Sequence, residues 1–162
     1  MTRRLRLASA ATLLVAAVGT VAGLTAATTS ADARTVTADA AAPATRMIVN
    51  LTVDDRSVHR VDQALTLAKA ARGQGQEVVL FLNVDAPRLA DASTPVTAGL
   101  PGKPALGAQL RSLIDGGVTV IVAKGCAGVC SVDLENLVPG ARAGTAGEIA
   151  GLAADGGVVV SY

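Results

Sequence analysis

The chain has 162 residues, enough for one domain and a tail, and its 14 Lys and Arg nearly cancel its 13 Asp and Glu. With no Trp, one Tyr and one Phe, and no basic stripe, it lacks both the stacking platforms and the phosphate-tracking cations of a nucleic-acid binder. Two cysteines and a single histidine, His59, fall short of the four ligands of a zinc site, and there is no phosphate-cradling glycine motif, so no metal and no cofactor are expected.

The first 45 residues stand apart from the rest. Arg3, Arg4 and Arg6 precede an apolar run from Leu7 to Leu24, and Ala31-Asp32-Ala33 supplies a small-residue cleavage pattern. Residues 1–33 therefore read as a signal peptide, and the mature protein is expected to be secreted or held in the cell envelope or periplasm. The alternative is an uncleaved N-terminal membrane anchor, because the apolar run is just long enough to span a bilayer. Loss of residues 1–33 removes three Arg and one Asp and takes the formal net charge from +1 to −1. Residues 34–45, RTVTADAAAPAT, show no periodicity and read as a flexible spacer.

One folded domain is expected over residues 46–162. The β-branched run MIVNLTV (Met47 to Val53) predicts a strand, and DDRS after it offers capping side chains for a helix. Val58, Val61, Leu65 and Ala68 recur at steps of three and four, which puts them on one face, with Arg60, Gln63 and Lys69 outside it and Gly73 and Gly75 at the end. EVVLFLNV (Glu77 to Val84) is nearly continuous in apolar residues, as a strand buried on both faces is. Residues 85–104 hold four of the six prolines and read as a long loop with a small edge strand. A helix over Ala105 to Asp115, a strand over Val118 to Ala123, a helical turn or two over Leu134 to Val138, a helix over Ala146 to Ala154 and a strand over Val158 to Ser161 complete the order. Such alternation specifies an α/β fold: a three-layer α/β/α domain around a parallel sheet of about five strands.

In open parallel sheets ligands and chemistry gather at the carboxyl ends of the strands. Thr52, Asp54 and Asp55 follow the first strand, Asn83 and Asp85 end the second, and Lys124, Gly125 and Cys126 follow VTVIVA. Cys126 is expected in a glycine-containing turn, where backbone N–H groups and Lys124 favour thiolate over thiol. Such a thiolate can accept a sulfane sulfur as a persulfide, and Cys130 can resolve it by closing a disulfide. A different reading makes Cys126–Cys130 a structural disulfide and the crevice of Thr52, Asp54, Asp55, Asn83, Asp85 and Gly125 a small-ligand pocket of a non-catalytic module. No G-x-S-x-G elbow is present, and Asp54-Asp55 reads as a helix-start pair, which argues against a hydrolase. The apolar composition and few charges point to surface hidden in a homo-oligomer.

The stretches MIVNLTVDD, VDQALTLAKAARGQGQEVVLFLNVDAPRLA, GKPALGAQLRSLIDGGVTVIV and GCAGVCSVDLENLVPGARAGTAGEIAGL, with the ending VVVSY, together resemble the DsrE/DsrF-like family of small α/β proteins, which includes sulfur-relay subunits. The resemblance implies a parallel sheet of about five strands and assembly into trimers or hexamers. It also implies that a cysteine after the fourth strand lies in a pocket near the subunit interface, a position that Cys126 matches. Relay members carry sulfur as a cysteine persulfide and exchange it with donor and acceptor proteins. The chain is thus expected to be an exported sulfur- or thiol-handling carrier, with Cys126 as the carrying thiol, rather than a turnover enzyme.

Overall fold

Apolar β-branched and leucine-containing runs form three central strands, β1 (Arg46–Leu51), β2 (Glu77–Leu82) and β3 (Thr119–Ala123). Two shorter ones, β4 (Ala141–Gly144) and β5 (Val158–Ser161), lie at the edges. All five are parallel, in the order β4-β3-β2-β1-β5. This computed structural model describes residues 46–162, so the signal peptide and spacer expected over residues 1–45 lie outside the described residues. Among the described residues no helix is long and apolar enough to cross a membrane.

Helices α1 (Val58–Gly73), α2 (Leu106–Asp115), α3 (Lys124–Val129) and α4 (Ala146–Ala154) complete the fold. The two-residue alternation of a strand divides the core into two layers. Val49, Leu51, Leu80, Leu82, Val120 and Val122 pack on one side with the apolar stripe of α1 (Val61, Ala64, Leu65, Ala68) and with Leu106, Leu110 and Leu113 of α2. Ile48, Val79, Phe81, Ile121 and Ala123 form the other layer with Ile149, Leu152 and Ala153 of α4. Burying each such aliphatic side chain contributes about 1.5–3 kcal/mol. The chain moves one strand at a time from β1 to β4 and returns in the opposite direction to β5, and a right-handed crossover in that return direction places α4 on the face opposite α1 and α2.

The structure differs from the sequence reading in four places. The small strand expected within residues 85–104 is absent: Ala86–Ala90 is a 3-10 turn and Asp91 makes a single antiparallel bridge to Leu137. The fifth strand is β4, which makes VTVIVA the third strand in chain order, not the fourth. Leu134 to Val138 is irregular rather than helical. Helical geometry starts instead at Lys124, so Cys126 lies in the first turn of α3 and not in a turn ahead of a helix. The capping role expected of DDRS falls to Asp54, whose side chain accepts from the Arg56 backbone N–H at 3.1 Å to start a 3-10 turn over Asp55–Ser57. Ser57, at the N-cap of α1, makes no capping bond.

One buried charge links α1 to the loop before α2. Asp62 is 0 % exposed. Its carboxylate accepts from Lys103 Nζ at 2.6 Å and from Gln109 Nε2 at 3.3 Å, while Gln109 also donates to the Pro104 carbonyl at 2.9 Å. The hydrogen bond from Lys103 holds the Asp62 carboxyl below its ordinary value of 3.8, against the opposite push of burial, with Gln109 adding to the lowering. A depressed carboxylate pKa contributes stability that is present above the unfolded value and lost as pH falls through the folded one. Lys103→Met leaves burial free to push Asp62 upward and is expected to cost about 2 kcal/mol at neutral pH. The deficit should shrink as pH falls, beginning above about 4 as the variant's raised carboxyl protonates and continuing below it as wild type loses the pair. Urea denaturation of both proteins from about pH 3 to 7 checks this, and a deficit independent of pH contradicts it.

Candidate functional site

The registers Leu51↔Leu82 and Leu82↔Val122 bring the ends of β1, β2 and β3 level. The segment after β2 is tied to β1 by Asn83 N–H donating to the Leu51 carbonyl at 2.8 Å and Asp85 N–H donating to the Thr52 carbonyl at 3.2 Å. The segment after β3 turns directly into α3, and the alignment sets Cys126 of α3 and Cys130 at its C-cap against Asn83 and Val84.

Both are free thiols. Cys126 is half-buried and donates its S–H to Asn83 Oδ1 at 3.1 Å. The same oxygen accepts from the Val84 backbone N–H at 2.9 Å, which orients the Asn83 amide with its oxygen toward the sulfur. Cys130 is 4 % exposed and donates to the Val84 carbonyl at 3.2 Å. Burial pushes the Cys130 thiol up from its ordinary value of 9.0, Asp85 and Cys126 push the same way, and Arg88 opposes them by charge and hydrogen bond. Cys130 is therefore held toward its neutral thiol and is the less accessible of the two sulfurs in this conformation.

Val84 itself is under strain. Its φ is +53°, a left-handed conformation that a β-branched residue rarely adopts, and its side chain is 51 % exposed, so core packing does not account for it. It is held there from both sides of its peptide unit, by Asn83 at the N–H and by Cys130 at the carbonyl. The cost of such a residue is on the order of 1–3 kcal/mol, and strain of this kind concentrates at sites that switch or bind.

Helix α3 ends in the pattern that leads chain and thiol back into the core. Ser131 takes φ +57°, Val132 N–H donates to the Ala127 carbonyl at 2.9 Å, and Ser131 N–H donates to the Gly128 carbonyl at 3.3 Å. Ala127 and Val132 are both buried, which supplies the apolar contact that accompanies this ending. Added Cβ atoms at Gly125 or Gly128 would meet nothing within 4 Å. Glycine at these positions leaves bare backbone on the open side of a helix that carries Cys126, at a cost in helix stability of about 1 kcal/mol each.

The other residues singled out in the sequence gather at the same edge with different duties. The Thr52 hydroxyl is engaged by the Tyr162 carbonyl, and Asp54, 4 % exposed, is held by Arg56 Nε at 2.8 Å. Asp55 sits within the 3-10 turn, and Asp85 is exposed beside Cys130, where its charge opposes ionisation of that thiol. Lys124 is exposed at the start of α3. Glu148 is held below its usual range chiefly by Arg142, and Lys124 adds to that lowering, which places the Lys124 ammonium within electrostatic reach of α4. A cation acting on Cys130 is Arg88, which sequence reasoning passed over although it stands three residues after Asp85 in a proline-containing turn. None of Thr52, Asp54, Asp55, Asn83, Asp85 or Gly125 lines either of two cavities, one between α1 and α2 and one beside Leu89 and Val138. Among the described residues no group of three or more His, Cys, Asp or Glu could hold a metal ion.

The strained residue offers a direct test. Asparagine accepts the left-handed conformation more readily than valine, so Val84→Asn is expected to leave stability unchanged or to raise it by up to about 1 kcal/mol. Denaturant unfolding under reducing conditions measures it, and a loss of more than about 1 kcal/mol would show that Val84 is held by packing rather than by its two hydrogen bonds.

The sequence matches the DsrE/DsrF-like family over residues 46–162, the whole of the described fold. Among solved structures, the YchN protein from E. coli is similar at 23% identity and a TM-score of 0.60, with 72% of this chain and 99% of that one covered. A protein of unknown function from Methanobacterium thermoautotrophicum, MTH1491, is similar at 13% identity and a TM-score of 0.55, with 72% and 98% covered. No curated protein matches the sequence. At these identities the two structures speak for the fold, a five-stranded parallel sheet between helices, and the match over residues 46–162 speaks for the lineage: the chain belongs to the DsrE/DsrF-like family.

Proposed function

We propose that the protein is an exported carrier of sulfane sulfur or thiol equivalents, working as a homo-oligomer of trimeric or hexameric form, and that Cys126 is the carrying thiol. The observation that carries this reading is the unequal placement of the two cysteines against the strained Asn83–Val84 segment. Cys126 is half-buried at the carboxyl edge of the sheet beside the open glycine face of α3, and Cys130 is buried behind it. Family membership supports a sulfur-relay type of fold.

In the proposed exchange the Cys126 thiolate attacks the outer sulfur of a donor persulfide, R–S–SH. The S–S bond of the donor breaks, Cys126 becomes Cys126–S–SH, and the donor leaves as R–S⁻. Transfer to an acceptor thiolate is the same step in reverse. Ionised Cys126 no longer donates to Asn83 Oδ1, so the Asn83 amide must turn its nitrogen toward the sulfur and give up the Val84 N–H. Val84 is then held on one side only, and its release frees the Cys130 thiol from the Val84 carbonyl. Cys130, once ionised, attacks the inner sulfur of the persulfide, closing a disulfide and expelling HS⁻.

A permanent Cys126–Cys130 staple fits the geometry less well. Cys130 N–H donates to the Cys126 carbonyl at 2.9 Å, the bond of an intact helical turn. Side chains four residues apart on a helix have Cβ atoms about 5–6 Å apart, whereas a disulfide requires about 3.8 Å. The disulfide therefore belongs to a rearranged state, as a resolving step demands.

Intact mass after treatment of the reduced protein with polysulfide tests the proposal. The expected result is a reducible gain of one sulfur atom that persists in Cys130→Ser and is absent in Cys126→Ser. Equal gain in wild type and Cys126→Ser would sink it.

A further inference from the structure

A second concave region lies between α1 and α2, built from residues that the thiol chemistry does not use. It encloses about 440 Å³, within the range of sites for small organic ligands. Its lining is mainly apolar, with Leu65, Pro104, Ala108, Leu113 and Val118, interrupted by the polar side chains of Thr66, Gln109 and Ser112, and it carries Lys103, held by Asp62, and Lys69 and Arg72 farther along α1. Along α1 its two ends are marked by Asp62 and Arg72, ten residues apart and so about 15 Å.

The two ends differ in charge balance. At one, Lys103 is neutralised by the buried Asp62 carboxylate. At the other stand Lys69 and Arg72, and among the described residues neither forms a salt bridge. Arg72 is nevertheless fixed in place: Nε donates to the Gly116 carbonyl at 2.9 Å and Nη1 to the Gln76 carbonyl at 3.4 Å. Those acceptors are neutral, so they hold the guanidinium without cancelling its charge. The turn below is shaped to receive it. Gly117 has φ +83°, and a Cβ there would come within 2.9 Å of Arg72 Nη2. A positioned guanidinium with no carboxylate, beside a free lysine, at one end of an apolar trough, is the arrangement that takes a carboxylate with a hydrocarbon body.

We propose that this groove binds an amphipathic anion, an unbranched medium-chain carboxylate, with its head at Arg72 and Lys69 and its tail along Leu65 and Ala108 toward Pro104. The site uses neither cysteine and stands or falls independently of the sulfur reading.

Calorimetric titration of the full mature protein with sodium decanoate, alongside decanol and decyltrimethylammonium as neutral and cationic counterparts, tests it. The expected result is saturable decanoate binding that weakens with salt, about tenfold or more weaker in Lys69→Gln and in Arg72→Gln, and lost in Ala108→Phe, which fills the trough and leaves both cations in place. Lys69→Gln breaks no ion pair of the fold, so a failure of Arg72→Gln to fold leaves the comparison intact. Absence of saturable binding, equal affinity for decanol, or unchanged affinity in Lys69→Gln overturns the proposal. So does dissociation of a native oligomer by Ala108→Phe, which would make the groove a contact between copies of the chain.

Discussion

The in-register pairing of β2 with β3, Leu82 opposite Val122, is the constraint on which the rest of the site depends. It follows from two apolar strands buried on both faces: a shift of β3 by one residue would turn Val120 and Val122 away from α1 and α2 and send Ile121 toward the wrong layer. With the register held by that burial, Asn83 follows β2 level with the end of β3, and α3, which starts at Lys124, has little freedom in where it and its C-cap place the two thiols. The core thus positions the two thiols, and one of them, Cys130, is itself part of it.

What the register brings together is a small two-point clasp. Asn83 and Val84 accept one thiol proton each, and Val84 is kept in a conformation that valine disfavours. The hydrogen bonds are individually weak, as thiols are poor donors, but each is lost outright when its sulfur ionises or is modified. That couples the chemical state of Cys126 to the backbone of Val84 and, through the Val84 carbonyl, to Cys130. The arrangement leaves two cysteines four residues apart in unequal positions, Cys126 half-buried in the first turn of α3 and Cys130 buried at its C-cap.

Much of this was legible in the sequence where burial writes a simple period. The stripe of Val61, Leu65 and Ala68, the unbroken apolar run of β2 and the run of β3 gave the α/β order and put Cys126 and Asn83 at one edge. The misses have physical causes. β4, with the sequence ARAG, lacks β-branched residues because it is a short edge strand packed closely on its neighbour: a Cβ on Gly144 would meet Ile121 Cγ2 at 2.4 Å. Nothing in the sequence marks Asp62 as buried, because only the fold brings Lys103, 41 residues away, to neutralise it. The sequence sets Lys124 close to Cys126 but gives no sign that its charge also reaches Glu148 of α4, or that Arg88 from the turn after β2 acts on Cys130. The left-handed Val84 left no trace in composition, since no glycine or asparagine stands there.

The central claim is that the two thiols differ in reactivity because the clasp exposes one and withholds the other. Timed alkylation of the reduced, folded protein with N-ethylmaleimide, read peptide by peptide in the mass spectrometer, tests it most directly. The account predicts that Cys126 is modified about tenfold faster than Cys130 or more, and that Cys130 becomes fast only after Cys126 has reacted or the protein is unfolded. Cys130 reacting as fast as Cys126 from the first time point would contradict it.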